Sequence, residues 1–148
     1  MKLINYANIH TIIMRNKKAK VFKELKSSSI KRKGNVITKM FVSKSNGSSS
    51  MISGLTIIPP KQAIDLHYHN CEEAVIVLEG KAIAEVDKKK INLTKGDVSW
   101  IPPKVPHRFI NSSKVNKLKI YWTYASINAN RTDVVTGKTK KILEEYKK

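Results

Sequence analysis

From residue 36 to residue 124 the chain reads as a succession of short β-rich runs, each stopped by turn residues before it can lengthen. The candidate strands are 36–42, 51–58, 63–69, 73–78, 81–86, 90–93, 98–101, 107–110 and 117–124. Between them stand Asn46-Gly47, Pro59-Pro60, Glu79-Gly80, Asp87-Lys88 and Lys95-Gly96, the residue types that set the special backbone angles of turns. Short strands at this spacing indicate an all-β sandwich or barrel. The chain length of 148 residues suits one domain, large enough to bury roughly 70% of its unfolded surface. Residues 1–35 read as an N-terminal arm, 36–125 as the barrel and 126–148 as a tail, of which 138–148 is compatible with a short helix.

Strand alternation then sorts the side chains. His67 and His69 share a face, as do Glu73, Val75 and Val77 on the next run, and His107, Phe109 and Asn111 on a later one. If those faces line the interior, Ile64, Leu66, Tyr68, Ile76 and Leu78 point outward. That outer face is too apolar for water, so either the N-terminal arm or a second copy covers it, and a homodimer is expected. Three of the four histidines fall in the inward set, while His10 stands alone in the arm and is left out of it. Imidazole nitrogens with a carboxylate suit a borderline divalent metal. Two histidines at a two-residue spacing are a weak signal by themselves.

The spacing of these residues resembles the two motifs of the cupin superfamily. His67-x-His69, three residues, Glu73, six residues and Gly80 are similar to the first motif. Gly96, five residues, Pro102-Pro103-Lys104, two residues, His107, three residues and Asn111 are similar to the second. The resemblance covers about residues 36–125. It implies a jelly-roll barrel, the double-stranded β-helix, with His67, His69, Glu73 and His107 as ligands of one divalent transition metal per chain. Iron is favoured; manganese, nickel and zinc are alternatives. Two family glycines are replaced, one by Lys61 and the other by Lys104. Glycine at such turns supplies positive φ, so a locally altered turn is expected at Pro103-Lys104.

The resemblance does not select a reaction, because cupins include dioxygenases, decarboxylases, isomerases and lyases. A metalloenzyme acting on a small metabolite is expected, with iron-dependent oxygenation favoured. The alternatives are a non-catalytic metal- or ligand-binding module, or a lyase or isomerase. The dimethylsulfoniopropionate lyases among cupins carry a similar His-Tyr-His stretch, but where they place a tyrosine base this chain has Val75, leaving Tyr121 or Tyr124 as substitutes. Isomerisation of a phosphorylated sugar needs an inward basic residue, and no candidate stands out. Val75, Phe109 and Asn111 are the candidate pocket residues. Cys71 reads as a structural thiol, and Arg108 should point away from His107. Trp122 and Tyr124 share a face with Leu118 and Ile120, so they read as core. Arg131 has no evident role.

Composition bears on partners. The net charge is +18, and residues 15–44 carry eleven Lys/Arg against the single acid Glu24. No nucleic-acid-binding motif or interleaved aromatic accompanies the charge, so specific nucleic-acid binding is not expected. The single cysteine precludes an internal disulfide. With no signal-like or membrane-spanning apolar run, a soluble cytoplasmic protein is expected.

Overall fold

The structure, a computed structural model, describes residues 19–146. His10, the apolar run 9–14 and the basic residues 15–18 lie outside the described residues.

Among the described residues twelve strands form two six-stranded antiparallel sheets. They are β1 (Ile30–Lys31), β2 (Ile37–Val42), β3 (Ile52–Ile58), β4 (His67–His69), β5 (Glu73–Glu79), β6 (Lys81–Val86), β7 (Lys89–Thr94), β8 (Val98–Ile101), β9 (His107–Ile110), β10 (Leu118–Tyr124), β11 (Asn130–Asp133) and β12 (Thr139–Lys141). One sheet has the order β1-β2-β3-β10-β5-β8 and the other β12-β11-β4-β9-β6-β7. This is the all-β architecture expected from the spacing of the runs and the jelly-roll barrel that the resemblance implies. Among the described residues no helix is long and apolar enough to cross a membrane.

Local chemistry explains the elements. β10 alternates buried and half-buried residues along its whole length, with Leu118, Ile120, Trp122 and Tyr124 inward. The Asp87-Lys88 turn has positive φ at both residues, 46° and 66°. That is the backbone hand that matches the twist of a two-residue hairpin, here joining β6 to β7. Gly54 is set by packing: a Cβ there would lie 2.4 Å from a Trp122 ring atom. The Trp122 indole therefore lies over the β3 backbone, donating to Thr56 Oγ1 at 3.0 Å. Ile52, Ile58, Val75, Val77, Ile101, Phe109, Leu118 and Ile120 fill the space between the sheets. Each contributes about 1.5–3 kcal/mol by burial.

Four details differ from the sequence expectations. The sheets reach beyond residues 36–125, since β1 joins one and β11 and β12 join the other. Residues 139–146 hold β12 and a 3-10 stretch, Ile142–Tyr146, where a short helix was compatible with the sequence. Ile64 points inward, not outward. The run 63–69 is not one strand: only Ala63 bridges to Ile110, the chain bends at Leu66, and β4 begins at His67. Alternation does not carry across the bend.

The fourth difference concerns the outer apolar face. Leu66 and Tyr68 sit at β4, whereas Ile76 and Leu78 sit on β5 in the other sheet. The turn Asn70-Cys71-Glu72 carries the chain from one sheet to the other, so these four residues do not form one patch. On the β2–β3–β10 side, Phe22, Phe41 and Tyr121 stack with ring centroids 6.4 and 6.2 Å apart. Glu24 pairs with Lys119 at 3.0 Å and holds that segment down. On the β5–β8 side, Val98 and Trp100 remain 63% exposed beside Ile76.

Candidate metal centre

The two sheets bring three histidines and one glutamate together from separate strands. His67 and His69 project from the same face of β4, and His67 is in register with His107 on β9. Glu73 is the first residue of β5 and reaches across from the opposite sheet. One ligand atom from each of the four lies within 4.8 Å of the others. All four side chains are buried, with Glu73 the most accessible at 5%.

The outer hydrogen bonds fix the imidazole rings. Nδ1 of His67 lies 2.6 Å from Asp65 O, Nδ1 of His69 2.6 Å from Asn130 O, and Nδ1 of His107 2.8 Å from Val105 O. A carbonyl oxygen only accepts, so on each ring Nδ1 carries the hydrogen and Nε2 offers a lone pair. Nε2 of His69 and His107 and Oε2 of Glu73 are buried without a hydrogen-bond partner. They nevertheless converge, with Glu73 Oε2 2.8 Å from His107 Nε2 and 3.6 Å from His69 Nε2. Buried polar groups are ordinarily paired. A cluster of unshared donor lone pairs, each ring oriented by a backbone carbonyl, fits a bound cation.

Electrostatics point the same way. Burial holds His67 well below the usual imidazole range, with Arg131 and the neighbouring histidines adding to the effect. Burial also lowers His69, partly opposed by Glu73. Neutral imidazole is the form that binds metal.

A cavity adjoins the cluster at His67 and Glu73. It admits the centres of water-sized molecules over about 40 Å³. Its walls include His67, Glu73, Phe109, Trp122 and Tyr124. Tyr124 packs against His69 at a tilt of 49° with centroids 4.4 Å apart, and burial followed by the Glu73 charge raises its phenol well above the usual value. It stays protonated. Tyr121 faces the other way and shares a hydrogen bond with Ser53 at 2.8 Å.

Of the three pocket residues expected from sequence, only Phe109 lines this cavity. Val75 is fully buried in the core. Asn111 is a structural staple: its Nδ2 donates to Ile58 O, Pro59 O and Asn116 O, and its Oδ1 accepts from Ser113 N. Lys104 takes φ 64°, and its N–H donates to His69 O at 2.7 Å. The turn is thus kept in glycine-like geometry rather than reshaped, because it is tied to the backbone of a cluster residue. Lys61 does the same at φ 60°. Cys71 is a buried thiol whose pKa burial pushes up to about 11. Arg108 points away from the cavity and pairs with Glu85 at 2.8 Å.

The cavity mouth is built from residues the sequence reading left without a role. Arg32, Arg131, Glu145 and Tyr146 border it. Arg131 sits on β11 opposite His69. No local pattern marks any of the four: the run Asn130-Arg131-Thr132-Asp133 is polar throughout.

Comparison with known proteins agrees with this architecture. A family model described as cupin domain matches residues 54–124. An uncharacterized protein of Methanocaldococcus jannaschii is 31% identical over 80 residues, 53% of this chain. The match spans 64% of that relative's length. Among solved structures, an RmlC-like cupin from Shewanella frigidimarina superposes with a TM-score of 0.63 at 17% identity, covering 74% of this chain and 92% of that one. The polyketide cyclase RemF from Streptomyces resistomycificus gives 0.68 at 13% identity, covering 84% and 86%. Likeness at these identities speaks to the fold.

Proposed function

The chain carries a cupin domain, and from that premise we propose that His67, His69, Glu73 and His107 hold one divalent transition metal. The observation that carries this reading is the convergence of unpartnered lone pairs on His69, His107 and Glu73 in a buried cluster. Three imidazoles and one carboxylate form a borderline donor set suited to iron, manganese, nickel or zinc, and we favour iron. Such a metal supplies Lewis-acid or redox chemistry to a small molecule in the cavity.

The chain's own residues supply the rest. Phe109, Ile120 and Trp122 line the cavity with apolar surface and limit water. Tyr124 holds a phenol proton beside Glu73. Our reading is a metalloenzyme acting on a small metabolite, with iron-dependent oxygenation favoured. A lyase or isomerase is the second reading, favoured by Arg131, a basic group that borders the cavity. Tyr124, held protonated, serves there as a hydrogen-bond donor rather than as a base. We further propose a homodimer through the β5–β8 face that presents Ile76, Val98 and Trp100.

The test is elemental analysis of protein purified without chelator, followed by oxygen uptake over a metabolite panel with Fe(II)-loaded protein. Metal near one equivalent per chain supports the site, and substrate-dependent uptake supports oxygenation. Metal-free protein that takes up none on loading sinks the reading. Loaded protein that converts nothing in the panel, with or without oxygen uptake, favours a non-catalytic module.

A further inference from the structure

The two arginines at the cavity mouth differ in how their charge is met. Arg32 donates to Glu145 Oε2 at 2.6 Å and to Thr38 Oγ1 at 3.1 Å, so its charge is neutralised in place. Arg131 donates only to the backbone oxygen of Asp65, at 3.3 Å, and among the described residues it has no ion-pair partner. Yet it borders the cavity together with His67, Tyr124 and Tyr146, and it is only half-buried. The Tyr146 hydroxyl, on the same cavity, is buried beside the Arg32 guanidinium, which can only donate to it, so its own O–H proton is free to donate to a ligand.

A second recess, whose lining includes Lys33, Gln62 and Asp65, shares Arg32, Ile64 and Arg131 with the cavity. Arg131 therefore borders both the surface recess and the cavity that adjoins the cluster. A guanidinium with spare donors in a partly dry site is matched by a planar anion taken bidentately. The cavity admits only a few non-hydrogen atoms, and one uncompensated guanidinium suits a single negative charge better than a phosphate dianion.

We propose that Arg131 is the anchor for a small organic carboxylate, whose carboxylate lies between its guanidinium and the Tyr146 hydroxyl and whose second polar group faces His67 and Glu73. This names the ligand class of the metal site and in that respect rests on the metal-binding reading. Arg131 itself acts on the ligand whether or not a metal is bound.

The test uses full-length protein carrying Trp100→Phe, which leaves Trp122, a cavity-wall residue, as the sole tryptophan. Its fluorescence is titrated with glycolate, with the neutral glycolamide and with inorganic phosphate, in metal-loaded and in chelated protein. Glycolate should bind roughly tenfold or more tighter than glycolamide or phosphate, the discrimination a charge-assisted pair provides. Arg131→Gln should remove that preference while leaving glycolamide affinity and the β signature unchanged. Arg131→Lys keeps the charge without the fork and should fall between, which keeps the test decisive if the glutamine variant folds poorly. Equal binding of glycolate and glycolamide, tighter binding of phosphate, or undiminished glycolate affinity in both Arg131 variants would overturn the proposal. Metal content is read separately by elemental analysis. A protein that takes up no metal on loading, yet still discriminates glycolate through Arg131, would sink the metal reading and leave this one standing.

Discussion

His107 Nε2 and Glu73 Oε2 stand 2.8 Å apart across the two sheets, each presenting a lone pair to the other. The histidine cannot turn its hydrogen towards the glutamate without giving up the bond from Nδ1 to Val105 O. With His107 neutral, the two lone pairs are reconciled by a cation between them, a metal ion or a proton added at Nε2. This opposition suits the cluster to a bound cation.

The first prediction follows from it. Wild-type protein should bind one divalent metal per chain at pH 8, and His107→Ala, which removes the β9 ligand, should weaken binding by roughly 100-fold. The β signature in circular dichroism should persist in the variant. Equal metal content in the two proteins at pH 8 would show that the site lies elsewhere.

The second concerns acid. His67 and His69 have folded-state pKa values below the ordinary 6.5, so the unfolded chain binds more protons than the folded one as pH falls through that value. Their contribution to stability is whole above pH 6.5 and is lost on acidification. The slope is about 1.4 kcal/mol per pH unit for each histidine until its depressed folded value is reached. Urea midpoints of metal-free protein should therefore drop between pH 7 and 5. In His67→Gln the drop should be shallower, and an unchanged slope would count against a neutral buried His67.

Asn111 provides a third test, because it joins three carbonyls to one amide around the end of β9. Asn111→Ala leaves those groups buried with one fewer partner each and should cost about 3 kcal/mol. Metal affinity of the folded fraction should not change. A large loss of metal affinity at unchanged stability would mean that Asn111 serves the site rather than the scaffold.

Backbone hand separates two other positions. Gly80 has φ 85°, and a Cβ there would lie 2.6 Å from Lys117 O, so Gly80→Ala meets both strain and backbone. It should lower stability by about 2 kcal/mol or more. Lys104→Gly relieves a lysine held at φ 64° and should be neutral or stabilising by up to about 1 kcal/mol. Thermal melts of both variants check the pair, and a destabilised Lys104→Gly would assign the lysine side chain a contact of its own.

The exposed Trp100 and Val98 on β8 bear on assembly. Light scattering should give twice the 16.8 kDa chain mass, and Trp100→Glu should shift it towards monomer. A monomeric wild type at high concentration would refute the dimer.

Much of this molecule was legible in the sequence because its strands are short and alternate cleanly. Period-two alternation put His67 with His69, Glu73 with Val75 and His107 with Phe109 on shared faces, and the spacing around them matched the cupin motifs, which implied that those faces turn inward. Turn residues located the hairpins, since Gly80 and Asp87 accept positive φ locally, whereas Lys88 is held at φ 66° by the hairpin itself. Alternation failed where the strand did: the bend at Leu66 reversed the assignment of Ile64, and no local pattern announces a bend.

What only the tertiary structure decided depends on which strands become neighbours. The Asn70–Glu72 turn moves the chain between sheets, and this both sets Glu73 against His107 and separates Tyr68 from Ile76. Arg32, Arg131, Glu145 and Tyr146 meet at one cavity mouth although 114 positions separate the first from the last. Their pairing is set by closure of the barrel. A lone arginine on a short strand looks the same in sequence whether it faces solvent or the mouth of a site, because its environment is supplied by residues far along the chain.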